Sequence, residues 1–118
     1  MMKKAFRKMP QREIFARTGV QFQPFNTLFQ LLAMKEQSPE LLAQADCLLL
    51  MPDFIHWCLC GSRVGEFTNA TTTQCLNPLK RKWDRNLLEK MELPAAIFPK
   101  LIPPGTKLGT LRDSVSRR

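Results

Sequence analysis

Nine prolines punctuate the chain, at positions 10, 24, 39, 52, 78, 94, 99, 103 and 104, and they limit its folding more than any other feature. Proline inside a helix removes a backbone donor and clashes with the turn before it, so helices must fit between these positions or start on them. The spacing predicts short helices joined by turns. The most apolar stretch, Cys47 to Cys60, is interrupted by Pro52, Asp53 and His56 and is too short to span a bilayer. No membrane partner is expected.

Between the prolines, local signals set the elements. Gln11 to Thr18 predicts a helix with Ile14 and Phe15 inward and Gly19 as its C-terminal stop. Thr27 and Gln30 have capping-box spacing, and Leu28, Leu31, Leu32 and Met34 recur at helical period, so a helix is predicted from Thr27 to Glu36. Ser38, Pro39 and Glu40 start another, running to Gln44 with Leu41 and Leu42 on its partner face. Pro52, Asp53 and Gly61 bound a helix of about nine residues that should bury Phe54, Trp57 and Cys58. Length alone leaves the apolar run Cys47 to Met51 open between strand and helix. Ser62 to Phe67 reads as extended. The polar run Thr68 to Gln74 favours turns and helix starts, as an ordered turn or a ligand loop. Asp84 can cap a helix from Arg85 to Met91 with Leu87, Leu88 and Met91 inward. Beyond it the prolines dictate turns, with a short strand near Lys107 to Leu111.

At 118 residues and 44% apolar composition, one small domain with a modest core is expected. The net charge of +8 is confined to two runs, residues 1–17 and 80–85; elsewhere acids and bases cancel. Such runs could meet phosphates, but neither carries the interleaved aromatics of a single-strand platform, so they read as solvated surface and nucleic acid is not an expected partner. The N-terminus lacks a secretory pattern, which implies a reducing, cytoplasmic setting and free, buried thiols at Cys47, Cys58, Cys60 and Cys75. His56, Cys58 and Cys60 form an H-x-C-x-C that a helix would spread over different faces, so no metal site is expected. His56 reads as a satisfied core histidine. The glycines form no phosphate cradle of the usual sequence type.

The order of segments carries more information than any one of them. Ile14-Phe15, Arg17-Thr18-Gly19, Pro24-Phe25-Asn26-Thr27-Leu28-Phe29-Gln30-Leu31, Ser38-Pro39-Glu40-Leu41-Leu42, Leu50-Met51-Pro52-Asp53-Phe54, Thr68-Asn69-Ala70-Thr71-Thr72-Thr73-Gln74, Trp83-Asp84 with Leu87-Leu88, Pro104-Gly105-Thr106 and Leu108-Gly109 follow in sequence. This closely resembles the second half of the N-terminal domain of FGGY carbohydrate kinases, most of all their rhamnulokinase branch, over about Arg7 to Arg112.

The resemblance implies an α/β fold: an incomplete piece of an actin-like, ribonuclease H-like N-terminal kinase domain, predominantly helical in isolation. It implies a basic N-terminal arm (1–10), a partial kinase domain (11–112) and a basic C-terminal tail (113–118). Full-length family members use MgATP to phosphorylate a sugar, here L-rhamnulose or a related ketose. Their phosphate loop and catalytic aspartate fall outside the matched region. The chain therefore reads as a kinase fragment, without cofactor or catalytic residues of its own and inactive alone, with a small basic nucleic-acid-binding or adaptor protein as the alternative. Two substrate-binding residues carry over. Phe25 matches the place where an aromatic meets the polyol in the family's glycerol kinases, and Asn26 could offer its amide to sugar hydroxyls or simply begin the next helix. Apolar surface left open toward missing strands would permit self-association.

Overall fold

The computed structural model describes residues 1–117; Arg118, the end of the expected tail, lies outside the described residues. The elements follow the proline spacing. Helices α1 (Met2–Lys8), α2 (Gln11–Thr18), α3 (Thr27–Gln37), α4 (Pro39–Gln44) and α5 (Met51–Cys60) come first, then β1 (Val64–Glu66), α6 (Phe67–Ala70), β2 (Leu76–Asn77), β3 (Lys82–Trp83), α7 (Arg85–Lys90), β4 (Lys100–Ile102) and α8 (Asp113–Ser116). Gly19 and Gly61 end α2 and α5 in the left-handed conformation, with φ of 65° and 81°, where a Cβ would be strained. Asp84 caps α7 as expected, accepting from the Leu87 N–H at 3.0 Å.

One core joins the helices. Ala5 and Met9 from the first turns, Ile14 of α2, Leu28, Phe29, Leu31 and Leu32 of α3, and Leu87, Leu88 and Met91 around α7 are buried together with Leu93, Ile97 and Phe98. Each fully buried leucine of this set is worth about 1.5–3 kcal/mol. Within residues 1–10 lies α1, and Ala5 and Met9 pack into the core.

The sheets are minimal. β2 and β3 form an antiparallel hairpin, Leu76 opposite Trp83. β1 and β4 pair in parallel, Val64 with Lys100 and Glu66 with Ile102, across a crossover that holds α6, the hairpin and α7. Parallel strands normally lie inside larger sheets covered on both faces. Among the described residues this pair has no third strand.

Several side chains depart from expectation. Phe15 and Leu41 are exposed; Ile14 and Thr18 take the inward positions of α2, and Leu42 that of α4. The strand near the C-terminus is Lys100–Ile102, not Lys107–Leu111, since only the former lies beside β1. Cys47 to Met51 forms no strand; Met51 opens α5, and the Leu48 N–H reaches the Ile97 carbonyl at 2.7 Å. The largest departure is α5. It turns Asp53 inward and leaves Met51, Phe54, Ile55, His56, Trp57, Cys58 and Leu59 exposed. Phe54, Trp57 and Cys58 are therefore surface residues, as is His56. Of the four thiols only Cys75 is buried; Cys47 and Cys60 are half-buried. With apolar side chains around most of the helix, periodicity could not tell which side faces the protein, and the hydrogen bond from the Glu66 N–H to Asp53 Oδ1 (3.2 Å) fixes it.

Candidate functional site

The loop carrying Phe25 leaves α2 at Gly19 and enters α3 at Asn26. Phe25 is 69% exposed, the most open aromatic ring among the described residues. Its neighbour Asn26 is only 7% exposed. Asn26 occupies the N-cap position of α3, yet its side chain makes no cap bond. Its carbonyl accepts from the Phe29 and Gln30 N–H groups instead. The Thr27–Gln30 capping box does not form either, because Thr27 is already inside the helix and Gln30 Nε2 donates to the Phe25 carbonyl.

The Asn26 amide is turned inward. Nδ2 donates to the Gln21 carbonyl at 3.0 Å and to Gln74 Oε1 at 2.8 Å. Gln74 is fully buried with φ of 63°, and its own Nε2 donates to the Val20 carbonyl at 2.9 Å and to Thr18 Oγ1 at 3.5 Å. Thr18 Oγ1 in turn donates to the Ile14 carbonyl at 2.9 Å. Two side-chain amides thus span the loop from both sides and tie Val20 and Gln21 to the end of the Thr68 to Gln74 run. A buried network of this kind is stiff when all its members are paired, and no buried side-chain polar atom among the described residues lacks a partner. Gln74 is the residue that sequence reasoning missed. Its signal was a long amide closing a run of small polar residues, next to buried Cys75.

That run is an ordered turn. Glu66 caps α6 by accepting from the N–H groups of Thr68 (2.8 Å) and Asn69 (3.0 Å), and the Thr68 hydroxyl, which also donates to it, is the main cause holding its carboxyl below the usual range, with the two N–H groups adding to it. Thr71, Thr72 and Thr73 each donate back to a carbonyl three residues earlier. These three hydroxyls are spent on the backbone, and that of Thr68 on the Glu66 carboxylate.

The acids near these elements are committed as well. Burial pushes the Asp53 carboxyl above its usual range, partly offset by the Glu66 N–H. Asp84 accepts from Leu87 and faces the Arg17 guanidinium at 3.4 Å. Among the described residues no three His, Cys, Asp or Glu side chains converge as metal ligands, and the glycines lie singly. No helix among them is long and apolar enough to cross a membrane.

Comparison with known proteins places this geometry. The model of the FGGY family of carbohydrate kinases, N-terminal domain, matches residues 1–118. A rhamnulokinase from Oceanobacillus iheyensis is 39% identical over 115 residues, covering 98% of this chain and 24% of that protein. One from Yersinia pestis (strain Pestoides F) is 46% identical over 109 residues, covering 92% of this chain and 22% of its own length. Among solved structures, xylulose kinase from Lactobacillus acidophilus superposes with a TM-score of 0.87 at 23% identity, over 98% of this chain and 24% of that one, which shows the shared fold. The chain spans about a quarter of the length of the relatives it matches. With the family model matching throughout, this chain belongs to the FGGY family of carbohydrate kinases.

Proposed function

We propose that this chain supplies the outer wall of a sugar site in a rhamnulokinase-like FGGY kinase, with Phe25 as the contact and Asn26 as its anchor. The observation that carries this reading is an exposed ring on a loop whose base is locked by buried amides. Phenylalanine has no hydroxyl, so its contribution is packing against the C–H face of a ketose, on the order of 1 kcal/mol. Asn26 acts indirectly, since Nδ2 already serves Gln21 and Gln74. The rhamnulokinase relatives point to L-rhamnulose as the ketose and to MgATP as the phosphoryl donor of the whole fold.

Phosphoryl transfer itself lies outside these residues. It requires a positioned base and phosphate-neutralising groups, and the inward acids here are already hydrogen-bonded within the fold. The apolar side of α5 and the lone parallel strand pair fit the same reading, as surfaces to be covered by the three quarters of the kinase fold that the relatives possess beyond the matched region. The direct test is a coupled ADP assay on the purified chain with MgATP and L-rhamnulose. No sugar-dependent ADP release is expected; release abolished by Phe25→Ala would refute the assignment of chemistry to other parts of the fold.

A further inference from the structure

We infer that the cleft between the β2–β3 hairpin and the start of α7 binds small phosphomonoesters, at a place separate from the Phe25 loop. The cavity measures about 210 Å³, roughly seven water volumes at ~30 Å³ each. Arg17, Lys80, Lys82 and Arg85 line it, with Asn77 and Asn86 between them as further amide groups. Lys80, Lys82 and Arg85 have no acidic partner among the described residues. Asp84 is the one acid in the lining, and its carboxylate is occupied by the Leu87 N–H and by Arg17. Cations gathered around one concavity concentrate positive potential there, and a dianionic phosphate ester is the ligand that relieves it.

The frame is held in place. Arg81 stacks over the Phe67 ring at 4.1 Å, the Lys80 N–H donates to Asn77 Oδ1 at 3.2 Å, and Trp83 Nε1 donates to the Pro99 carbonyl at 2.7 Å. A nucleic acid fits less well. The Trp83 ring packs edge-on against Phe98 at 4.9 Å, which removes it as a stacking platform. Of the other basic run, Lys4 and Lys8 are paired with Glu36 and Glu92, and Arg17, which reaches the cleft, is paired with Glu13 and Asp84.

Trp57→Phe leaves Trp83 as the single tryptophan, and its fluorescence can be titrated at low ionic strength with fructose 1-phosphate, inorganic phosphate, fructose and a single-stranded 20-mer. Fructose 1-phosphate and phosphate are expected to bind saturably, at least tenfold more weakly after Lys80→Glu with Lys82→Glu, and within twofold of the parent after Lys100→Glu with Lys107→Glu. Fructose is expected to give no response. Equal loss in both charge-reversal pairs, no phosphate response in the parent, or an oligonucleotide binding tighter than the sugar phosphate would overturn the assignment. None of these outcomes depends on kinase activity, so the sugar-loop reading stands or falls separately.

Discussion

Replacing Asn26 by Asp separates two roles for this residue, because they predict opposite signs. As an ordinary N-cap, Asp serves as well as Asn, and a negative charge at a helix start adds about 0.3–1 kcal/mol. In this structure the side chain is not a cap; its Nδ2 supplies both the Gln21 carbonyl and Gln74 Oε1. A carboxylate donates neither bond and brings its charge against the buried Gln74 Oε1 and the part-buried Gln21 carbonyl. Stranding the buried Gln74 acceptor costs about 1–3 kcal/mol and the part-buried Gln21 carbonyl about 1 kcal/mol more, so a loss of about 2–4 kcal/mol is expected. For a domain of this size that corresponds to a fall in Tm of about 8–16 °C. Urea unfolding at pH 7, followed by circular dichroism and analysed as a two-state transition, gives the free energy directly. The cycle of Asn26→Leu and Gln74→Leu adds a check: the double variant should cost about 1–2 kcal/mol less than the sum of the singles, since neither partner is then left unpaired. An Asn26→Asp protein within 0.5 kcal/mol of the parent would refute the amide clamp.

Other expectations follow from particular groups. Lys8 and Lys35 hold the Glu92 carboxyl at about 2 against an ordinary value of 4.5. A depressed acid lends stability above its unfolded pKa and loses it as pH falls through the folded one, so unfolding midpoints should drop between pH 4.5 and 2, and less steeply in Glu92→Gln. Asp53, shifted the other way, contributes with opposite sign and should be relieved by protonation. The Cys75 thiol is pushed up to about 12 by burial, so at pH 8 a thiol reagent should label exposed Cys58 in the native protein and Cys75 only after unfolding, as read by peptide mass. The outward face of α5 should make the isolated chain self-associate with concentration in sedimentation, and Ile55→Glu with Trp57→Glu should suppress this without lowering stability by more than about 0.5 kcal/mol.

The sequence declared α2, α4, α5 and α7 because the stop and start chemistry is local: Gly19 after α2, Ser38-Pro39 before α4, Gly61 after α5 and Asp84 before α7 all act within a few residues. Leu28, Leu31, Leu32, Leu87 and Leu88 were readable as core from their period and are buried. The face of α5 was not readable, since its inward side is set by Asp53 meeting a backbone N–H thirteen residues away. The β1–β4 pairing was hidden for the same reason. Its partners are more than thirty positions apart, and three-residue strands carry too little alternation to announce themselves. Phe25 was singled out by resemblance alone, whereas its support by Gln74 depends on a contact 48 residues distant that a single sequence does not reveal.

The central claim is that this chain forms one wall of an FGGY sugar site through Phe25 and contributes no phosphoryl-transfer chemistry. It is tested most directly by substituting residues 1–118 for the matched quarter of the Oceanobacillus iheyensis rhamnulokinase and measuring MgATP-dependent phosphorylation of L-rhamnulose. The account predicts an active chimera in which Phe25→Ala raises KM about fivefold, equivalent to ~1 kcal/mol, with kcat changed less than twofold. A folded chimera without activity, or one in which Phe25→Ala leaves KM unchanged, would contradict it.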